Sequence, residues 1–151
     1  VDVTDYDSCQ GAIAQIAKDL GAVDVLVNNA GITRDTTFRK MDQEAWHAVL
    51  TTNLDSVFNM TKHVIDGMAE RGWGRVINVS SVNGQKGAFG QTKMVMAIPK
   101  EVLDSKIIPQ IPIGRLGKPE EVAGLVAYLC SEEAAFVTGA NIAINGGQHM
   151  Q

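Results

Sequence analysis

The sequence predicts an α/β fold in three layers, in which helices cover both faces of a doubly wound parallel sheet that is incomplete here. Two observations carry this prediction. Short segments at residues 23–27 and 75–79 alternate along the chain with longer segments of helical period. The short segments are largely apolar, which is typical of parallel strands that are buried on both faces.

The composition is that of one ordinary globular domain. The chain has 151 residues, of which 45% are apolar and 20% charged, and its net charge is −4. That negative balance argues against a nucleic acid or an anionic membrane surface as the main partner. The two cysteines form neither a disulfide framework nor a metal motif, as expected in a reducing cytoplasm. We expect no transmembrane helix, since no apolar run reaches about 18 residues, and no signal peptide.

The first elements are a strand end, a helix and a strand. Residues 1–3 are predicted to close a strand. Apolar residues at helical spacing predict a helix over Tyr6–Leu20, with Asp5 as its N-cap and Gly21 as its stop. The β-branched run at residues 23–27 is predicted to be a buried strand.

A long helix and a second buried strand follow. The helix is predicted over residues 42–71, is broken by the glycines of residues 72–74, and leads to a strand at residues 75–79. Its apolar stripe is predicted to consist of Trp46, Leu50, Asn53, Val57, Met60, Val64 and Met68.

The remaining chain is predicted to hold a loop, two helices and a last strand. The loop spans residues 82–92, and a short helix follows at residues 99–108. Pro119 opens a helix that continues to residue 131, because proline suits the first helical turn. The last strand is expected at residues 142–144. The apolar face of the helix at residues 119–131 is formed by Val122, Leu125, Val126, Leu129 and Cys130.

Small and polar residues follow three of the predicted strands, at residues 28–31, 78–81 and 145–147. In open parallel sheets, ligands bind beyond the carboxyl ends of the strands. These segments are equally compatible with ordinary turns and capping serines, and both interpretations stay open. Ser81 lacks the Gly-x-Ser-x-Gly setting of a hydrolase nucleophile.

One amide falls where an apolar side chain is expected. Asn53 lies on the predicted apolar stripe, and a buried amide must be hydrogen-bonded. Its role is either structural or catalytic. The three histidines, His47, His63 and His149, show no metal-ligand spacing, so no metal site is expected.

Taken in order, these motifs resemble the short-chain dehydrogenase/reductase family, whose fold is Rossmann-like. The matching residues are 28–31, 52–54, 77–81, 115–122, 137–139 and 145–147. Within the family, residues 31–35 look like those of the 3-ketoacyl thioester reductases. Four further segments look most like the acetoacetyl-CoA reductases that feed polyhydroxybutyrate synthesis, namely residues 66–68, 72–75, 82–87 and 147–150. The acyl-carrier-protein reductases of fatty-acid synthesis are the close alternative.

The resemblance implies reduction of a 3-oxoacyl thioester, most like acetoacetyl-CoA, with NADPH as cofactor and NADH not excluded. It implies that Ser81 hydrogen-bonds the substrate carbonyl and that Asn53 holds a proton-relay water in a kinked helix. The cofactor would be bordered at its adenine by Asp2 and Val3. The rest of its adenosine and nicotinamide side would be lined by Asn29, Ala30, Gly31, Ile32 and Thr33. The residues near the acyl thioester would be Asp35, Phe89 and Gln91.

The resemblance also implies a homotetramer. The long helix at residues 42–71 would lie at one interface, and the apolar helix at residues 119–131 with the tail could form another.

Two hallmarks of the family are absent from this sequence. The glycine-rich phosphate loop is expected before residue 1. The Tyr-x-x-x-Lys pair is expected about a dozen residues after Ser81, where the tyrosine donates a proton and the lysine lowers its pKa. Neither Tyr6 nor Tyr128 has a lysine four positions later.

The second gap is predicted to lie between Thr92 and Lys93. Residues 93–95 resemble the family's segment beyond the next strand, so Lys93 is not the catalytic lysine and a helix and a strand are missing here. A parallel neighbour of the strand at residues 75–79 would also need a crossover of a dozen residues or more. Three explanations are open: residues present in the protein but omitted from this sequence, a genuine deletion product that is folded but inactive, and a non-enzymatic binding or assembly subunit.

Overall fold

The computed structural model describes residues 1–80, 95 and 98–149. The chain forms two compact units, Val1–Val79 and Ser80–Gln151, and each is described separately. The predicted loop at residues 82–92 and the junction between Thr92 and Lys93 lie outside the described residues.

The first unit contains four α-helices and two strands in its described part. They are α1 (Tyr6–Leu20), β1 (Val25–Asn28), α2 (Gln43–Leu50), α3 (Ser56–Thr61), α4 (Ile65–Arg71) and β2 (Arg75–Asn78). A 3₁₀ turn at Phe38–Lys40 precedes α2, and a π-helical turn at Thr51–Asp55 joins α2 to α3.

Helix α1 has the predicted bounds and caps. The Asp5 carboxylate accepts a hydrogen bond from the Ser8 N–H at 2.6 Å, which satisfies one of the free donors of the first turn. Gly21 ends the helix with a φ of 97° and donates its N–H to the carbonyl of Ala17. Both predictions for the ends of this helix are confirmed.

The predicted helix at residues 42–71 has the expected ends but is not continuous. Asp42 caps its start by accepting from the Ala45 N–H at 2.7 Å, and Gly72 closes it in the left-handed region with a φ of 66°. The π-helical turn and a turn at residues 62–64 interrupt it. The predicted apolar stripe is wrong at Trp46, which is 48% exposed, whereas Val64 and Met68 are buried as predicted.

The two strands pair in parallel, as predicted, with Val25 opposite Arg75 and Asn28 opposite Asn78. The core of this unit consists of Ile13, Leu26, Val64 and Met68. Burial of β1 on both faces is wrong: Leu26 is buried but Val27 is 40% exposed. Successive side chains of a strand point to opposite faces, and only the Leu26 face meets this core.

Two predicted strands are not formed. Residues 1–4 make a turn, in which the Asp5 N–H donates to the carbonyl of Asp2 at 3.2 Å. Residues 142–144 carry no ladder either. A strand requires a partner, and the sheet formed by the described residues contains β1 and β2 alone.

The second unit is helical in its described part, as predicted for residues 99–108 and 119–131. Helix α5 (Lys100–Val102) continues through a π-helical turn at Leu103–Ile107 and a 3₁₀ turn at Ile108–Gln110. Helix α6 (Pro119–Leu129) begins with Pro119 in its first turn. The five residues predicted to form its apolar face are each only half-buried, namely Val122, Leu125, Val126, Leu129 and Cys130.

Two negative findings apply to the described residues. None of their helices is long and apolar enough to cross a membrane. They hold no group of three or more metal-ligating side chains.

Candidate functional site

The carboxyl ends of β1 and β2 lie side by side, because the strands are parallel and in register. The Asn28 amide donates to Oδ1 of Asn78 at 2.9 Å and to the hydroxyl of Thr61 at 3.2 Å. The Val79 N–H extends the pairing to the carbonyl of Asn28 at 2.9 Å. Asn28 thus joins both strand ends to the long helical segment, and the residues after it begin at a fixed edge of the sheet.

The segment at residues 29–33, predicted to line a cofactor, leaves this edge in an irregular conformation. Asn29, Ala30, Gly31 and Thr33 are exposed, and Ile32 is half-buried. A Cβ on Gly31 would lie 3.6 Å from Oδ1 of Asn53, an ordinary contact. Packing among the described residues therefore does not require glycine at this position, and the small residues leave the backbone accessible to a ligand.

Asn53 clamps the backbone of this segment. Its Oδ1 accepts from the Ile32 N–H at 2.8 Å, and its Nδ2 donates to the Ile32 carbonyl at 3.0 Å. The predicted burial of Asn53 is wrong, because its side chain is exposed. The π-helical turn at Thr51–Asp55 adds a residue to the turn and so shifts Asn53 off the apolar stripe. The structure shows the structural role; the catalytic role stays a prediction.

Asp2 and Val3, predicted to border an adenine, form a well-fixed turn. The Asp2 Oδ1 accepts from the N–H of Thr4 at 2.9 Å and from its hydroxyl at 2.7 Å. The hydrogen bond from the Thr4 hydroxyl, followed by that from its N–H, holds the pKa of Asp2 below its ordinary value, so the carboxylate stays charged at neutral pH. The Val3 N–H has no hydrogen-bond acceptor within the described residues. An anionic acceptor, and a donor without a partner among the described residues, thus stand on adjacent positions of the chain.

The remaining predicted residues are not assembled by the described part of the chain. Ser81, Phe89 and Gln91 lie outside the described residues, and Asp35 is exposed in an irregular segment.

Two features were not found from the sequence. Asn59 is buried and donates from Nδ2 to the carbonyl of Val3 at 3.0 Å. Its only sequence signal is that Ser56, three positions earlier, is also polar and would share its helix face. The second feature is an ion pair in the second unit, where Nη2 and Nη1 of Arg115 donate to the two carboxylate oxygens of Glu121, at 2.7 and 2.9 Å.

The ion pair strongly affects its carboxylate. Arg115, and then the Lys118 N–H at 2.7 Å, lower the pKa of Glu121 from 4.5 to about 2. The pair borders a cavity of about 140 Å³ that is also lined by Ile111 and Ile144. It lies at the start of α6 and fixes the entry of the chain into that helix.

Comparison with protein-family models identifies two matches that meet near the predicted junction. Residues 1–93 match the model described as short chain dehydrogenase. Residues 90–149 match the model described as Enoyl-(Acyl carrier protein) reductase.

Curated relatives match nearly the whole chain. An acetoacetyl-CoA reductase of Cupriavidus necator is 48% identical, with 98% of this chain and 75% of the relative covered. An acetoacetyl-CoA reductase of Rhizobium meliloti is 46% identical, with 98% of this chain and 77% of the relative covered. A 3-oxoacyl-[acyl-carrier-protein] reductase of Vibrio cholerae is 35% identical, with 99% and 76% covered.

The first of these alignments is longer than the chain. It spans 185 positions against 151 residues, so at least 34 positions inside the aligned region have no counterpart here.

Proposed function

The chain belongs to the short-chain dehydrogenase family, and from that premise we propose that it is an NADPH-dependent reductase of 3-oxoacyl thioesters. Its substrate is acetoacetyl-CoA and its product is 3-hydroxybutyryl-CoA. The single observation that carries this proposal is the 48% identity to the acetoacetyl-CoA reductase of Cupriavidus necator over 98% of the chain. The reaction would supply hydroxyacyl thioesters to polyhydroxybutyrate synthesis.

The residues present fit a nicotinamide cofactor. The charged Asp2 carboxylate and the adjacent Val3 N–H match the amino group and ring nitrogen of an adenine, and residues 29–33 offer accessible backbone at the strand edge. When bound, the nicotinamide supplies the hydride that reduces the C3 carbonyl. Choice of NADPH over NADH is part of the proposal.

The chain's own residues would orient the reactants. Asn53 fixes Ile32 with one donor and one acceptor, and its amide has one further hydrogen and one further lone pair for a relay water. Ser81 would donate a hydrogen bond to the substrate carbonyl. The acyl thioester would lie near Asp35, Phe89 and Gln91.

The proton donor is proposed to be missing from this polypeptide. The 185-position alignment to a 151-residue chain supports an internal gap, and the family models change over at residues 90–93, where Thr92 meets Lys93. A helix and a strand with a Tyr-x-x-x-Lys pair would fill this gap. Without that pair, nothing delivers a proton to the developing alkoxide, so we expect no appreciable turnover from this sequence alone.

The test combines an intact mass with an assay on the protein purified from its own gene. A mass of 16.2 kDa, that of these 151 residues, should accompany no oxidation of NADPH by acetoacetyl-CoA. A larger mass should accompany turnover. Turnover by a protein of 16.2 kDa would refute the hypothesis that this polypeptide lacks its proton donor. A larger protein without turnover would favour an inactive structural subunit.

A second substrate class is favoured by one observation. The Vibrio cholerae relative, a 3-oxoacyl-[acyl-carrier-protein] reductase, is 35% identical over 99% of the chain. A carrier-protein substrate would need a basic docking patch, and Arg34, Arg39 and Lys40 are exposed in one segment.

The two substrates are distinguished by kcat/KM for acetoacetyl-CoA and for the acetoacetyl carrier protein in any active form of the protein. We expect the higher value for the CoA thioester. A higher value for the carrier protein, lost on charge reversal of Arg39, would favour the second class.

Assembly and location complete the proposal. The protein would act as a homotetramer in the cytoplasm. Both cysteines, Cys9 and Cys130, are free thiols, which supports a reducing compartment.

A further inference from the structure

One buried amide makes a contact across the first unit. In the described residues, Ser56 and Asn59 are the buried polar side chains. The Ser56 hydroxyl returns to its own helical segment and donates to the Thr52 carbonyl at 2.6 Å. Asn59 instead reaches 56 positions along the sequence, where its Nδ2 donates to the carbonyl of Val3 at 3.0 Å. A buried amide is costly unless it is bonded, so this contact fixes its partner firmly.

The same carbonyl has a second donor from another helix. Cys9 of α1 is fully buried, and its Sγ lies 3.7 Å from the Val3 carbonyl and 3.6 Å from that of Asp2. The Asp2 N–H donates to the Ser8 hydroxyl at 3.0 Å. The backbone at Asp2 and Val3 is therefore held from α1 and from α3 together.

These bonds determine which groups the turn presents. Because Asn59 and Cys9 both point at the Val3 carbonyl, that carbonyl is turned inward and its acceptor capacity is used. Within the described residues, the peptide N–H of Val3 has no acceptor, and the Asp2 carboxylate uses only Oδ1, for its two bonds from Thr4. The Val3 N–H and Asp2 Oδ2 are therefore the groups that an external partner could engage. Loss of the Asn59 donor would let this turn rotate.

Two asparagines of the long helical segment each hydrogen-bond the backbone of a distant loop. Asn53 holds Ile32 through its amide, and Asn59, six positions later, holds Val3. The π-helical turn and α3, which follow each other directly, thus hold two separate loops, and both loops belong to the proposed cofactor site.

We propose that Asn59 is a positioning residue, which aims the Val3 N–H and the Asp2 carboxylate at the adenine ring of the cofactor. This inference rests on the proposed function, since it assumes a cofactor with an adenosine half. Asn59 itself touches no part of the ligand and acts through the Val3 carbonyl.

The experiment measures two dissociation constants by calorimetry on the intact polypeptide. ADP represents the adenosine half of either nicotinamide cofactor, and reduced nicotinamide mononucleotide represents the other half. Asn59→Leu keeps the number and branching of the side-chain heavy atoms but removes the donor. Ser56→Ala is the matched control, because it removes a buried hydrogen bond of the same helical segment that does not reach Val3.

We expect Asn59→Leu to weaken ADP binding by about tenfold, the effect of a misaimed donor and acceptor, and to leave binding of the mononucleotide unchanged. Ser56→Ala should change neither constant. Equal weakening of both probes, or unchanged ADP binding by Asn59→Leu, would overturn the inference alone. If the wild type binds neither probe, the proposed function fails and this inference falls with it.

A measurement on the wild type covers the case in which Asn59→Leu does not fold. The side-chain amide resonance of Asn59 should shift when ADP is added and stay in place when the mononucleotide is added. An Asn59 resonance that does not respond to ADP would contradict the positioning role of Asn59 at Val3.

Discussion

Asn53 and Asn59 illustrate how single side chains organise the first unit. Both are amides on one helical segment, and each hydrogen-bonds the backbone of a distant loop. An amide suits this role because it offers a donor and an acceptor together. Asn53 uses both on Ile32, so the loop after β1 is fixed in position as well as in orientation.

Removing the Asn53 clamp should destabilise the fold modestly. Asn53→Ala loses two hydrogen bonds at an exposed site, and we expect the free energy of unfolding to fall by about 1 kcal/mol. Urea denaturation measures this change. Asp55→Ala is the matched control, as an exposed residue of the same π-helical turn. Equal effects of the two substitutions would show that the clamp contributes nothing specific.

The Arg115–Glu121 pair predicts a pH dependence of stability. The pKa of Glu121 is about 2 in the folded chain and near its ordinary 4.5 when unfolded. A carboxyl with a lowered folded pKa stabilises the fold fully above 4.5, and this contribution disappears as the pH falls towards 2. Glu121→Gln should therefore flatten the change in thermal midpoint across this window.

Glu120→Gln provides the control for that measurement, because it makes the same change one position earlier in the same helical turn. It should retain the wild-type slope. A Glu121→Gln curve that runs parallel to the wild type would contradict the assigned cause.

Residue-level prediction from sequence found Asn53 but not its surroundings. The residue type and its place on a helix signalled a hydrogen-bonded amide, since these depend on local pattern. The exposure of the Asn53 side chain depends on the π-helical turn, and the spacing of apolar residues does not predict such a turn. Asn59 was missed because its partner, Val3, lies far away in the sequence.

Among the helices, the ends were predictable from the sequence, whereas the interior of the long helix at residues 42–71 was not. Asp5, Gly21 and Gly72 act as predicted because capping is a local interaction between a side chain or a glycine and the adjacent turn. Asp42, predicted only as the start of its helix, is the N-cap there. The strands predicted at residues 1–3 and 142–144 were wrong, because a strand exists only with a neighbour to pair with.

Two glycines should respond oppositely to alanine. Gly72 has a φ of 66°, so Gly72→Ala should lower the free energy of unfolding by about 1 kcal/mol. Gly11 lies within α1 with no neighbour within 4 Å of an added Cβ, so Gly11→Ala should raise it by about 0.5–1 kcal/mol. Urea denaturation measures both changes in the free energy of unfolding. Changes of the same sign would contradict the assignment of the two effects to backbone conformation.

Each unit exposes apolar side chains in its described part. Phe58 is 61% exposed and Ile65 is 41% exposed beside β2, and the apolar face of α6 in the second unit is only half-buried. Such surfaces call for a covering element. The internal segment that the motif order predicts between Thr92 and Lys93 would provide such a cover, and its place stays a prediction.

The proposed reductase function, and the proposed absence of its proton donor, are tested most directly by the rate of NADPH oxidation by acetoacetyl-CoA for two polypeptides. One has this sequence. The other is a chimera in which the Cupriavidus necator relative supplies the positions that have no counterpart here, with the internal ones inserted at the predicted junction between Thr92 and Lys93. We predict no turnover by the first, and stoichiometric formation of 3-hydroxybutyryl-CoA by the chimera. Turnover by the first polypeptide, or a folded chimera that binds NADPH without reducing the thioester, would contradict the account.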